Sequence, residues 1–358
     1  MLEICTFRTT IGEWLKDFYD STKEPFFGIF VFDEPYLVLK SPELIKQVLV
    51  KDFSSFTDRT VLAPKHDKLV SSMMFLQKSP HWKTTRPKMT PIFTSGKLKG
   101  MFPTINNIGL RMNQYIRKNL GQHEAKEICA KFSTDVIAKC AFGINSHCFD
   151  DEDAQFRKVG RSIFDFRWRN AINQTAYFFM QGWANLLHLN FVDKWATTYL
   201  KDVFWSVIKQ REETNMKGND LIDIIVDMRK NKGLCDEIQF ETLRKYPVLP
   251  FLDRRCNADY QISGTNIVIE KGMPVYIPML GLHYDEQYFP EPDKYKPERF
   301  SDKNAYNGDG LYYLPFGEGP RICIGERFGV LGTKVGLVHI LSEFEIERTP
   351  DTPRTYKI

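Results

Sequence analysis

From Ile11 the chain sets Ile11, Trp14, Leu15, Phe18 and Tyr19 at the spacing of one helix face, behind Thr10 as an N-cap. Two apolar runs, 26–32 and 36–39, flank Asp33-Glu34-Pro35 and predict a hairpin of two buried strands. Ser41-Pro42-Glu43 joins an N-cap to a proline at the first helical position and opens a helix over 44–50. The stretch 57–79 is irregular and reads either as the wall of a pocket or as a surface loop with an apolar anchor. Ser79-Pro80 opens a further helix, on which Trp82 and Arg86, four apart, share a face. Residues 97–230 are mostly helical, with amphipathic spacing over 124–142 and 192–211 and a shorter case over 220–228. Glu241 and Arg244 lie three apart on a predicted helix. Past Tyr246, residues 260–269 alternate around a glycine turn and Val275–Ile277 continues the sheet. The last helical period runs through Ile324, Phe328, Leu331, Val335, Val338 and Leu341, and a short strand is expected at 343–346. The pattern is that of one domain over 1–358, mainly α with a smaller β part.

Composition narrows the classes. A chain of 358 residues with 42% hydrophobic and 14% aromatic content buries a substantial core. Its net charge of +4, without a basic run interleaved with aromatics, gives no nucleic-acid surface. Seven cysteines, odd in number and without a C-x-x-C pair, fit reduced thiols facing the cytosol better than a disulfide framework or a zinc site. No apolar run approaches the roughly 18 residues of a membrane span, and residues 1–10 carry no apolar signal region, so a soluble or peripheral chain is expected.

The chemistry concentrates at 316–325, Phe-Gly-Glu-Gly-Pro-Arg-Ile-Cys-Ile-Gly. Gly317, Gly319 and Gly325 remove Cβ where the backbone turns tightly or lets a flat partner approach. Cys323 is expected at a helix N-terminus with Arg321 as a neighbouring cation, both of which favour a thiolate. Such a thiolate suits the axial position of a haem iron; the plainer reading is a small buried hydrophobe. Trp82 and Arg86 read either as a donor pair for an anion such as a haem propionate or as a cation–π contact. For Glu241 and Arg244 the default is a surface salt bridge.

With Phe316, Gly319, Arg321, Cys323 and Gly325 in register, this loop resembles the haem-binding loop of the cytochrome P450 family. Trp82-x-x-x-Arg86, Glu241-x-x-Arg244 and Pro297-Glu298-Arg299-Phe300 follow the family's order. The likeness looks closest to the microsomal branch that serves insect detoxification and vertebrate drug metabolism. It implies a cytochrome P450 fold holding haem b, with Cys323 as iron ligand and Trp82, Arg86, Arg254 and Arg321 on the propionates. Phe316, Gly319 and Gly325 would shape the thiolate's surroundings. Glu241, Arg244 and Arg299 would form a supporting network, and His283 a structural element remote from iron. The implied reaction inserts one oxygen atom from O₂ into a hydrophobic small molecule, with electrons from NADPH through NADPH-cytochrome P450 reductase. The implied location is the cytosolic face of the endoplasmic reticulum membrane, with peripheral contact. Lys83, Lys88, Lys97 and Lys99 read either as solvated lysines or as the docking face for an acidic electron donor.

Measured against that family, the chain is expected to be incomplete. It lacks the N-terminal anchor, the last strands and, between Gly233 and Leu234, the central distal helix with its Ala-Gly-x-x-Thr turn. Loss of that helix removes a proton-delivering acid and threonine and uncovers the apolar faces packed on it. The alternative is therefore an inactive haem-binding or misfolded remnant; a third is a rearrangement enzyme using peroxides.

Overall fold

A computed structural model describes residue 4 and residues 8–353, except 62, 63, 65, 120, 122, 165–167, 215–233, 263 and 302–310. Helix α1 (Ile11–Ser21) opens on a reciprocal capping box. The Glu13 N–H donates to Thr10 Oγ1 over 3.2 Å, and the Thr10 N–H to Glu13 Oε2 over 3.1 Å. Such a cap contributes about 1 kcal/mol. Strands β1 (Phe26–Val31) and β2 (Glu34–Leu39) form the expected hairpin. Strands β3 (Leu252–Arg255), β4 (Tyr260–Gln261), β5 (Val268–Ile269) and β6 (Pro274–Ile277) follow much later. The main sheet has the order β1-β2-β6-β3, with β6 parallel to β2, while β4 and β5 pair separately. As an inner strand, β2 is buried from Tyr36 to Leu39; β1, at the edge, alternates, and Phe30 is 69% exposed. The expectation of two buried strands thus holds for β2 alone, because an edge strand here has only one covered face.

Helix α2 (Pro42–Lys46) starts behind Ser41, whose Oγ accepts the Leu44 N–H over 3.3 Å, and passes into a π turn at Gln47–Lys51. The stretch 57–79 contains α3 (Lys68–Ser72), capped by Asp67. The same buried carboxylate accepts the Tyr177 hydroxyl over 2.7 Å and the Phe191 N–H over 3.1 Å, so the stretch is tied into the body of the molecule. Helix α4 (His81–Met89) begins at His81, not at Ser79. The Ser79 side chain forms no cap, and its backbone N–H donates to Asp58 Oδ1 over 2.9 Å.

The helical middle consists of α5 (Ser95–Lys118), α6 (Ala125–Ile137), α7 (Gln155–Phe164), α8 (Trp168–Phe179), α9 (Gln181–Leu186) and α10 (Lys194–Thr214). The amphipathic stretch 220–228 and the approach to Gly233 lie outside the described residues. Helix α11 (Leu234–Lys245) carries Glu241 and Arg244; α12 (Met279–His283) and α13 (Glu326–Glu343) follow among the described residues. Glu343 closes α13, and 344–346 form no strand, contrary to expectation. Extended backbone becomes a strand only by pairing, and among the described residues nothing pairs with it. Helices α5 and α13 meet closely: a Cβ on Gly109 would fall 2.2 Å from the His339 ring. Asn113 Nδ2 donates to the His339 carbonyl over 2.8 Å, beside a core of Ile105, Ile108, Met112, Phe132 and Val335.

Candidate functional site

The loop at 316–325 is shaped by two left-handed glycines, Gly317 at φ +74° and Gly319 at φ +72°. A Cβ on Gly319 would stand 2.1 Å from the Leu49 carbonyl oxygen, so glycine is required there twice over. Gly325 differs. At φ −93° its backbone does not demand glycine, and its bare face borders an apolar trough. The Cys323 N–H donates to the Phe316 carbonyl over 2.9 Å and closes the loop, leaving the Cys323 side chain exposed. This exposure removes the reading of Cys323 as a buried hydrophobe. Because α13 starts at Glu326, Cys323 stands just ahead of the helix and not in its first turn.

Arg321 does not act as the thiol's neighbouring cation. Its Nε donates to the Thr57 carbonyl over 2.8 Å, its Nη2 to the Gln77 carbonyl over 2.9 Å, and its guanidinium lies 4.1 Å from the Trp82 ring centroid. The cation whose field acts with Cys323 is Arg86, which also donates to the Ile322 carbonyl over 2.9 Å. Trp82 and Arg86 thus share one face of α4, as their spacing predicts. The cation–π contact joins Trp82 to Arg321, while Arg86 grips the backbone next to the cysteine.

Beside the loop lies a group of charges, buried except for the half-buried Asp58 and Lys78, that sequence reasoning found only in part. Arg59, Lys78, Arg254 and Arg321 gather around Asp58 and Asp253. Arg59 Nη1 meets Asp253 Oδ1 at 3.1 Å, Arg321 Nη2 meets Asp58 Oδ1 at 3.5 Å, and Lys78 donates to the Arg59 carbonyl. Loss of hydration, opposed in part by these carboxylates, pushes Lys78 down to about 8, Arg254 to about 9 and Arg321 to about 10. Arg254 is 1% exposed, and its Nε, like Nη1 of Arg321, is buried without a hydrogen-bond partner among the described residues. Cations in excess of carboxylates, with unmatched N–H groups, form a donor set that an added carboxylate would complete. The two propionates of haem b have that chemistry, and the bare Gly325 beside an exposed thiol suits a flat macrocycle. Arg59 and Lys78 escaped notice because their partners are remote; the one local signal was a charged pair, Asp58-Arg59, between Phe56 and Val61.

On the other side of the loop, Glu241 and Arg244 are both fully buried and form a fork at 2.8 Å and 2.8 Å, replacing the surface salt bridge that spacing alone suggests. Glu241 also accepts the Lys296 N–H over 3.0 Å, and Arg299 Nε approaches it at 3.6 Å. Arg244 donates further to the carbonyls of His283 over 2.7 Å and Pro292 over 2.9 Å. His283, wholly buried, donates from Nδ1 to the Arg244 carbonyl over 3.1 Å and accepts the Leu314 N–H at Nε2 over 3.1 Å. Burial, reinforced by the Arg244 charge, pushes its pKa down to about 3 and keeps the ring neutral.

An apolar trough of about 490 Å³ opens between α5, α6 and α13, lined by Met112, Phe132, Val136, Phe328, Leu337 and Ile340. Lys83, Lys88, Lys97 and Lys99 are exposed.

The sequence profile described as Cytochrome P450 matches residues 4–239 and again 234–357. Among curated proteins, the chain is similar to cytochrome P450 6k1 of Blattella germanica, 35% identical over 96% of this chain and 83% of the relative. It is also similar to probable cytochrome P450 6g2 of Drosophila melanogaster, 33% identical over 100% of this chain and 87% of the relative. That second alignment runs over 452 positions against 358 residues here, so about 94 positions have no counterpart in this chain.

Proposed function

The chain belongs to the cytochrome P450 family of monooxygenases, and from that premise we propose that Cys323 would hold the iron of haem b in an enzyme that oxygenates a hydrophobic small molecule. One oxygen atom comes from O₂, and the electrons come from NADPH through NADPH-cytochrome P450 reductase. The observation that carries this reading is the set of buried, unpartnered N–H groups on Arg254 and Arg321 next to an exposed thiol.

When bound, haem supplies the oxygen chemistry, its thiolate ligand pushing electron density onto the iron. The chain's own residues hold and orient. Arg254 and Arg321 offer spare N–H groups to the propionates, with Trp82 stacked under Arg321 and Arg86 fixing the Ile322 carbonyl. The Phe316 carbonyl restrains Cys323, and Gly319 and Gly325 keep side chains out of the way. Glu241, Arg244 and Arg299 brace the far side. The exposed lysines at 83, 88, 97 and 99 suit docking of an acidic reductase. At the membrane, exposed Trp183, Leu186 and Leu187 support peripheral contact with the cytosolic face of the endoplasmic reticulum. No helix among the described residues is long and apolar enough to cross a membrane.

A second reading is favoured by one specific observation. The two profile matches meet at 234–239 and about 94 positions of a relative have no counterpart. We propose that the single domain 1–358 lacks the central distal helix at the junction of Gly233 and Leu234, and that the trough on α5, α6 and α13 belongs to the surface this helix would cover. With its acid and its exclusion of water gone, the chain would bind haem without coupled turnover. The test is the carbon-monoxide difference spectrum of the reduced, haem-reconstituted chain, followed by NADPH consumption with reductase. A red-shifted Soret band with turnover supports the enzyme; the band without turnover supports the second reading. Failure to take up haem overturns the enzyme and leaves a misfolded remnant.

A further inference from the structure

We infer that His283 is the positioning residue of the cysteine loop: its two ring nitrogens tie α11 to Leu314, two residues ahead of the loop, and thereby set where Cys323 stands. The inference rests on the reading of Cys323 as the ligand only for its consequence, since the tie itself involves protein atoms alone.

The linkage runs without a break. Arg244 donates from Nη1 to the His283 carbonyl over 2.7 Å, while His283 Nδ1 returns a bond to the Arg244 carbonyl over 3.1 Å. The opposite nitrogen, Nε2, accepts the Leu314 N–H over 3.1 Å. Leu314 in turn accepts the Gly317 N–H at its carbonyl over 2.9 Å, which fixes the turn from which Phe316 holds Cys323. The ring is packed against Tyr313 and Phe289, with centroids 5.4 Å and 6.2 Å away. Imidazole is suited to this post. In one rigid ring it offers a donor and an acceptor on opposite edges, and only its neutral form does both. A buried Leu314 N–H left without its acceptor would cost the desolvation of that group. The loop would then relax toward whatever partner it could find.

The test is hydrogen exchange on the haem-free full chain, with His283→Asn and His283→Gln. Asparagine keeps a donor near Nδ1 and gives up the acceptor for Leu314; glutamine reaches the Nε2 position with its carbonyl and gives up the donor. In His283→Asn the Leu314 and Cys323 amides should exchange about tenfold faster, the effect of one lost buried hydrogen bond, with the β1–β2 hairpin unchanged. His283→Gln should keep both amides near wild-type rates. Unchanged exchange at Cys323 in His283→Asn overturns the inference, as does equal acceleration of loop and hairpin in both variants. If neither variant folds, the wild-type chain decides: Leu314 should share its opening free energy with the amides of α11, and independent opening overturns the tie. On haem-loaded protein, His283→Asn should lose thiolate-type Soret intensity that His283→Gln retains. Absence of haem uptake by the wild type would defeat the reading of Cys323 and leave the exchange result standing.

Discussion

Two buried assemblies of charge flank the cysteine loop, and they are built on opposite plans. Around Glu241 and Arg244 each carboxylate oxygen meets a guanidinium N–H, and the carbonyls of His283 and Pro292 take up the remaining donors. Around Arg254 and Arg321 the cations outnumber Asp58 and Asp253, and buried N–H groups stay unmatched. In the first assembly the central pair is closed by protein partners, and the one unbonded N–H there, on Arg299 Nε, still lies 3.6 Å from the Glu241 carboxylate. The second leaves donors on Arg254 and Arg321 without acceptors among the described residues, the physical difference between a closed brace and the ligand site proposed above.

The largest test strikes the brace. Glu241→Ala strands a fully buried guanidinium and should cost about 3–5 kcal/mol in urea unfolding of the haem-free chain. A loss below about 1 kcal/mol, the worth of a surface pair, would break the comparison. Arg254→Met should go the other way. Removing an ill-matched buried cation for an apolar chain of similar length should leave the free protein unchanged or stabilise it by about 1–4 kcal/mol, while haem titration shows weaker binding. A destabilised free protein would mean that Arg254 is already satisfied.

Protonation sharpens the contrast next. His283 sits at about 3 in the folded chain and near 6.5 when unfolded, so between these values the unfolded state binds the extra proton. Stability contributed by the neutral ring is present above pH 6.5 and falls as pH drops, with a slope of up to about 1.4 kcal/mol per pH unit. His283→Gln should flatten that part of the urea-midpoint profile against pH. The smallest effect belongs to Glu291. Its exposed carboxylate meets Lys294 and Lys296 in solvent, and Glu291→Ala should leave the urea midpoint where it is.

Much of this architecture is readable from the sequence, wherever the determining signal is local. Thr10 with Glu13, Ser41 with Pro42, and the glycines around Cys323 specify their own caps and turns. Helix spacing put Trp82 with Arg86, and Glu241 with Arg244, on common faces. What stays hidden is direction and depth. Arg321, two residues from the cysteine, looks like its cation, yet it reaches Thr57, 264 residues away, while Arg86 comes from 236 residues away to hold the Ile322 carbonyl beside the cysteine. Burial turned a nominal surface salt bridge into a sealed pair, and no spacing rule contains burial. The alternation at 343–346 promised a strand but found no partner. Asp253 acts on Arg59 across 194 positions, a meeting that only the finished fold creates.

That long separation governs when the site can exist during synthesis. Arg321 finds Thr57 only after the intervening 264 residues have been made, roughly 13–53 s at ordinary elongation rates. Until then Arg59 and Lys78 have neither Asp253 nor Arg321 to meet, and the loop's seat at Leu49 stands open. Helices α1 and α5 wait as well, since Tyr19 on α1 donates to Asp285 and Asn113 on α5 to the His339 carbonyl, 266 and 226 positions away. Assembly of the charged group around the cysteine loop is therefore a late event in synthesis, because its parts are encoded more than 190 residues apart.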